Sequence, residues 1–148
     1  IDNEPFLIEY NVRMGDPECQ TILPKLETDF LELTKACVEK KLNLINLKWK
    51  KEKSICVVLC SKGYPDKYEN NIEIKNLEKF DLNLNEFIFH AGTKNNELKI
   101  FSNGGRVLNF VILSESFKES REKAIGLIKK LNWNNGFFRS DIGFKVID

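Results

Sequence analysis

Apolar residues fall into short, punctuated runs over the first fifty positions and into a regular succession of strands and one helix after that. The first run, PFLIEYN at residues 5–11, is bounded by a proline and a polar turn, which predicts a strand buried in a larger sheet. Its partner strands must lie elsewhere. Pro17 suits the first turn of a helix, and ECQTILPKL carries the chain to Pro24, which ends or kinks it. A clearer helix follows Asp29, with Glu32 in capping-box spacing and Phe30, Leu33 and Cys37 on one face. Lys40 and Lys41 stand where cations favour the negative end of that helix's dipole.

Residues 42–53 form a lysine-rich connector containing LKWKKEK, the best boundary in the chain, so two units are expected, 1–50 and 51–148. SICVVLCS, from Ser54, is too uniformly apolar for a solvated face and predicts a central strand covered on both sides. KGYPDKY then supplies Gly63 and Pro65 for a turn. Further strands are expected at residues 72–74 (IEI), 87–93 (FIFHAGT), 98–102 (LKIFS) and 106–114 (RVLNFVILS), with KNNE as the hairpin turn before LKIFS. A last helix starts at Ser116, with Glu119 in capping register, and NWNNG stops it. Its apolar face carries Phe117, Ala124, Ile125, Ile128 and Leu131. Antiparallel strands closed by one amphipathic helix make an α+β unit.

Composition narrows the function more than the fold. Apolar residues at 42% and charged residues at 30% describe a folded globular chain, long enough for one domain or one domain and a piece of another. A net charge of +1, from 23 basic and 22 acidic residues, leaves no basic field for phosphate backbones, so no nucleic acid partner is expected. There is no apolar run long enough to span a membrane and no signal-peptide pattern, which points to a cytoplasmic chain with no membrane partner. The chain opens on Ile1 and its only methionine is Met14, so a piece of a longer polypeptide is expected. Cys19, Cys37, Cys56 and Cys60 lack metal-ligand spacing and His90 is the sole histidine, which argues against a zinc site. Cys56 and Cys60 read as small buried hydrophobes. Phosphate-loop, dinucleotide-loop and catalytic-triad patterns are absent.

The chemistry-bearing residues gather near turns. Glu9 and Asn11, two apart on a strand, project to one side and offer a carboxylate and an amide oxygen to a hard cation such as Mg²⁺. The same pair also reads as the solvated edge of a strand. Arginine is scarce, at Arg13, Arg106, Arg121 and Arg139 only, and three of these four lie beside turns. Its planar fork suits carboxylate and phosphate oxygens in a way lysine does not. In SNGGRVL, Gly104 and Gly105 can bring backbone N–H groups against an anion with Arg106 next to them, or can simply turn a hairpin. Arg139 and Asp141 read as a structural pair, and His90 as a satisfied core or interface residue.

The run IEYNVRMGDPECQTILPKLETD, followed in order by SKGYP, FHAGT, NGGRVL and FRSDIG, closely resembles the C-terminal part of the phosphoribosylamine–glycine ligases, which are ATP-grasp enzymes. The resemblance implies that residues 1–50 end an ATP-grasp domain and that residues 51–148 form a small, mainly antiparallel sheet with one packed helix. It implies an ATP-dependent carboxylate–amine ligase of purine biosynthesis. Glycine and 5-phosphoribosylamine would be joined through glycyl phosphate to give glycinamide ribonucleotide. By the same resemblance, Glu9 and Asn11 hold Mg²⁺ or Mn²⁺ against ATP, and Arg13 is the catalytic residue at the transferring phosphoryl group. Asp16, Pro17 and Glu18 shape the site for substrate amino groups, while Gly92, Thr93, Gly104, Gly105 and Arg106 face the phosphoribosyl group. Tyr10 and Met14 stand where the family usually has Phe, and Cys19 where it has Thr. The ATP-phosphate loop and its lysines are absent, so an N-terminal part of the same polypeptide is an expected partner and the chain alone is expected to be inactive. Another ATP-grasp ligase and a non-catalytic anion-binding module are the competing readings.

Overall fold

A computed structural model describes residues 4–147. Three helices, α1 (Glu18–Ile22), α2 (Phe30–Val38) and α3 (Phe117–Leu131), accompany six strands, β1 (Lys53–Ser61), β2 (Glu86–His90), β3 (Thr93–Asn96), β4 (Lys99–Ser102), β5 (Arg106–Ser114) and β6 (Gly136–Phe137). The main sheet runs β2-β5-β1-β6, wholly antiparallel, while β3 and β4 form a separate ribbon. The fold is α+β, with α3 packed on one face of the sheet.

RVLNFVILS forms the strand with the heaviest burial because both its edges and both its faces are occupied. β1 pairs along one edge, β2 along the other, and residues 107–114 are all buried. Phe110, at 0% exposure, meets Val57 across the ladder and belongs to a core that includes Ile55, Leu59, Leu108, Ile112, Ala124, Ile128 and Leu131. Burying such a side chain contributes about 1.5–3 kcal/mol. Ser116 caps α3 by accepting from the Glu119 N–H at 3.2 Å, and Asn132 ends it in the left-handed region. Buried Ser120 then pins the helix to the strand ends, hydrogen bonded to the Ser114 hydroxyl at 2.7 Å and donating to the Lys53 carbonyl at 2.9 Å.

Several sequence expectations shift. SICVVLCS is central but not fully covered on both sides: Ile55, Val57 and Leu59 are buried, whereas Cys56 and Val58 on the other face are half-buried under the shorter α1. KNNE is not the hairpin turn. Residues 94–96 lie in β3, and the turn is made by Glu97 and Leu98, both with positive φ, as a two-residue hairpin requires. IEI gives only a bridge from Glu73 to Phe101. NGGR joins strands of different sheets and so is not a hairpin turn.

The first fifty residues depart most. PFLIEYN is no strand: residues 5–11 pair with nothing in a sheet, and Ile8 is 95% exposed, since none of the described strands lies alongside. α1 runs into a 3-10 turn at Pro24, and α2 has the expected cap, with Asp29 accepting from the Glu32 N–H at 2.9 Å. Its expected apolar face is unburied: Phe30 is 56% exposed, Cys37 is exposed, Leu33 is half-buried, and Ala36 alone is buried. The lysine-rich connector folds back on residues 25–28, with Glu27 N–H donating to the Lys48 carbonyl and Lys50 N–H to the Lys25 carbonyl.

Phe110→Ala is expected to lower unfolding stability in urea by about 3–5 kcal/mol, whereas Phe30→Ala shifts it by about 0.5 kcal/mol or less. A similar loss for both would contradict this division of the apolar residues.

Candidate active site

The extended segment before α1 carries a polar array despite lacking a sheet. Asn11 Nδ2 donates to Glu9 Oε1 at 2.6 Å, and Arg13 Nη1 donates to Asn11 Oδ1 at 2.6 Å and to the Met14 carbonyl at 3.0 Å. The two-residue spacing puts the three side chains on one side of an extended backbone. Asn11 turns its Nδ2 to Glu9 and its Oδ1 to the Arg13 guanidinium, so the two oxygens face a common cation only with the Asn11 amide turned over and Arg13 released from it. Two protein ligands suit Mg²⁺, which keeps waters and substrate phosphate oxygens in its shell, better than a closed protein cage. Among the described residues no cluster of three or more His, Cys, Asp or Glu side chains is placed to hold a metal.

The turn that follows is clasped to the sheet. Arg106, first residue of β5, places Nη2 at 3.0 Å from Asp16 Oδ2 and donates from Nη1 to the Asp16 carbonyl at 2.7 Å. Gln20, one helical turn on, donates from Nε2 to the other carboxylate oxygen of Asp16 at 2.9 Å. Asp16 and Arg106 are both about 40% exposed, so the pair contributes about 1 kcal/mol at most through its charges. Its larger effect is geometric, because it joins residues 90 positions apart. Pro17 precedes α1 as its N-cap, and Glu18 folds over Gly15, where an added Cβ would lie 2.1 Å from Glu18 Oε2.

Three loops meet at the same end of the sheet. Gly92 N–H donates to the Arg106 carbonyl at 2.8 Å and Asn103 N–H to the Gly92 carbonyl at 2.7 Å. A Cβ on Gly92 would sit 2.8 Å from the Gly104 Cα, so backbone contact demands glycine there, while one on Gly105 would sit 2.0 Å from the Tyr64 ring and would have to displace it. Ser61 donates from Oγ to the Gly104 carbonyl at 2.9 Å and from its N–H to the Gly105 carbonyl at 2.7 Å. Thr93 Oγ1 lies 2.9 Å from His90 Nδ1. The structure therefore gathers Asp16, Pro17, Gly92, Thr93, Gly104, Gly105 and Arg106, with Glu18 alongside. Glu9, Asn11 and Arg13 have no hydrogen bond to the loops among the described residues and connect to them through the turn at residues 15–17.

Other polar residues resolve simply. Arg139 binds Asp141 with both arms, Nε to Oδ1 at 3.0 Å and Nη2 to Oδ2 at 2.6 Å, which raises the arginine's pKa and lowers the carboxylate's. His90 is exposed, not in the core. Burial pushes the Cys56 thiol from the ordinary 9.0 up to about 12, against the pull of the Thr21 hydroxyl and with help from Asp16 and Glu18. Burial also raises Cys60, with Arg106 opposing. Gln20, Ser61 and Tyr64 escaped the sequence reading. Gln20 was legible in its spacing of four from Asp16, Tyr64 only as part of the quoted SKGYP, and Ser61 offered no signal short of its contacts.

The family model for the phosphoribosylglycinamide synthetase C domain matches residues 54–145. This chain belongs to that family. Among relatives of the family member, the phosphoribosylamine–glycine ligase of Caldanaerobacter subterraneus is 44% identical over 93% of this chain and 32% of its own length. The chloroplastic phosphoribosylamine–glycine ligase of Arabidopsis thaliana is 40% identical over 97% of this chain and 27% of its own length. A crystal structure of phosphoribosylamine–glycine ligase from Thermotoga maritima superposes with a TM-score of 0.68 at 33% identity, covering 96% of this chain and 34% of that one. The synthetase-family chain thus spans about a third of the length of these relatives.

Two measurements check the geometry. Arg106→Lys removes the planar fork, so amide hydrogen exchange at Cys19 and Thr21 is expected to rise roughly two- to tenfold while β5 stays protected; unchanged exchange would mean that the clasp holds nothing. The raised Cys56 pKa favours the protonated thiol in the folded state, so its stabilisation is whole below pH 9.0 and is lost as pH climbs toward 12. At about pH 8 an alkylating reagent should label exposed Cys37 at least roughly tenfold faster than Cys56, read by peptide mass spectrometry.

Proposed function

We propose that this chain is the part of a phosphoribosylamine–glycine ligase that ends its ATP-grasp domain, over residues 1–50, and forms its C domain, over residues 51–148. The observation that carries this reading is the Glu9–Asn11–Arg13 array, held through Asp16 and Arg106 to a glycine-walled loop cluster. A carboxylate and an amide oxygen suit a hard cation, the guanidinium beside them suits phosphate oxygens, and closely packed glycine backbone suits an anion.

In this reading the whole ligase couples ATP cleavage to amide formation between glycine and 5-phosphoribosylamine. Glu9 and Asn11, with the Asn11 amide turned so that Oδ1 and not Nδ2 lies toward Glu9, would hold Mg²⁺ or Mn²⁺, which would supply positive charge against the phosphates of ATP. Arg13 uses the guanidinium donors not engaged with Asn11 and Met14 to stabilise charge on the transferring phosphoryl group. Asp16, Pro17 and Glu18 form the wall near the amine. Gly92, Thr93, Gly104 and Gly105 face the phosphoribosyl group, and Arg106, whose fork keeps donors beyond the two used on Asp16, reaches its phosphate. The exposed apolar residues Phe6, Ile8, Val12, Phe30, Leu31 and Val38 meet the remainder of the same polypeptide. The protein works in the cytoplasm, and no helix among the described residues is long and apolar enough to cross a membrane.

The test is ADP release from the full ligase polypeptide carrying this sequence. Release that requires both glycine and 5-phosphoribosylamine is expected, and this chain by itself should release none. Arg13→Ala should lower kcat by about 10²–10³ with little change in thermal stability, because the side chain is exposed. Stimulation by a different amine or carboxylate would sink the assignment.

A further inference from the structure

The SKGYP stretch enters none of the roles above, yet its first residue is fully buried at 0% exposure and makes two contacts with one loop. The route there begins in the sheet. β1 and β5 run in strict register from Lys53 to Leu59, and an irregularity between Leu59 and Cys60 then sets Cys60 opposite Arg106. The extra residue is Val107 of β5, and by taking up one position it sets Ser61 beyond Arg106, against Gly104 and Gly105. Ser61 Oγ donates to the Gly104 carbonyl at 2.9 Å, and the Ser61 N–H donates to the Gly105 carbonyl at 2.7 Å.

Two successive carbonyls are therefore turned toward one buried residue. In a planar trans peptide the N–H points opposite to the carbonyl of the same unit. The N–H groups of Gly105 and Arg106 consequently point away from Ser61, that of Arg106 toward the side on which Gly92 packs, while Gly105 itself is buried beside the Tyr64 ring. Among the described residues the Gly105 N–H meets no acceptor. Successive N–H groups aimed to one side form an anion-binding concavity. The charged groups beside it are the Arg106 guanidinium and the Asp16 carboxylate, which are already paired with each other. Gly92 packs against Gly104 and the Tyr64 ring against Gly105, so closely that a side chain at Gly92 or Gly105 would collide.

We propose that Ser61 is a positioning residue that fixes the Gly104–Gly105 backbone so that its N–H groups receive a phosphate monoester. This rests on the assignment of the loop cluster to the phosphoribosyl group and adds the residue that orients it. Ser61 touches no ligand itself. It acts through the peptide planes, and its hydroxyl contributes by holding the first of the two carbonyls.

The experiment is a ¹⁵N TROSY titration of the deuterated full ligase polypeptide carrying this sequence with ribose 5-phosphate, following the Gly105 and Arg106 amides, with the melting temperature measured in parallel. Wild type is expected to show both amides moving on binding. Ser61→Ala should bind about three- to tenfold more weakly, and Ser61→Thr, which keeps the hydroxyl, should recover most of the affinity. A purely structural role would lower the melting temperature of Ser61→Ala without changing the ligand affinity of the folded protein. If Ser61→Ala fails to fold, Ser61→Cys, close in size and a weak donor, takes its place and should also bind more weakly. Equal affinity in wild type and in the alanine or cysteine variant would overturn the role of Ser61 while leaving the loop assignment intact. Gly105 and Arg106 amides that never move in the wild type would overturn both.

Discussion

The antiparallel pairing of β5 between β1 and β2 is the constraint on which everything else hangs. Because residues 107–114 are buried on every side, that strand cannot shift register without moving apolar side chains out of the core. Its first residue, Arg106, is thereby held at a defined point at one end of the sheet, where it meets Asp16. The turn at residues 15–17, and the polar array that leads into it, inherit their place from that strand. Loop chemistry here is precise only because the ladder beneath it is rigid.

The parts of the fold that were legible in the sequence are those whose signals are local and whose partners lie in the same chain. RVLNFVILS, the capped α3 with its apolar stripe, and the Asp29 cap each combine a periodic pattern with a nearby boundary signal. PFLIEYN and the apolar side of α2 carry equally strong apolar patterns, yet among the described residues PFLIEYN is uncovered and α2 is covered only in part, at Leu33 and Ala36. An apolar pattern states a need for a partner without saying where the partner is. The β3–β4 turn was misplaced for another reason: Glu97 and Leu98 adopt positive φ without glycine or asparagine, so the usual turn chemistry pointed two residues too early.

Legibility of the site divides along similar lines. Glu9, Asn11 and Arg13 stood out by residue type and spacing, and the structure brings their side chains into one hydrogen-bonded array. Asp16 and Arg106 stood out separately, but nothing in a linear reading pairs residues 90 positions apart, and their mutual engagement changes what each has left to offer a ligand. Gly92 and Gly104 were legible as glycines without the reason for them, which is backbone packed against backbone. Buried Ser61 is an ordinary residue made consequential by where a strand irregularity delivers it.

The span of the Asp16–Arg106 contact also bears on the order in which this chain assembles. Helical caps and the β3–β4 ribbon close over few residues and can form early, whereas a contact bridging 90 positions must wait until the intervening chain has been drawn together by the sheet. Exposed side chains and a half-exposed ion pair cannot drive that closure by themselves. The turn at residues 15–17 is therefore expected to dock late, onto a finished β5, so that the polar segment ahead of it takes its direction from the sheet only in a chain whose core has already formed.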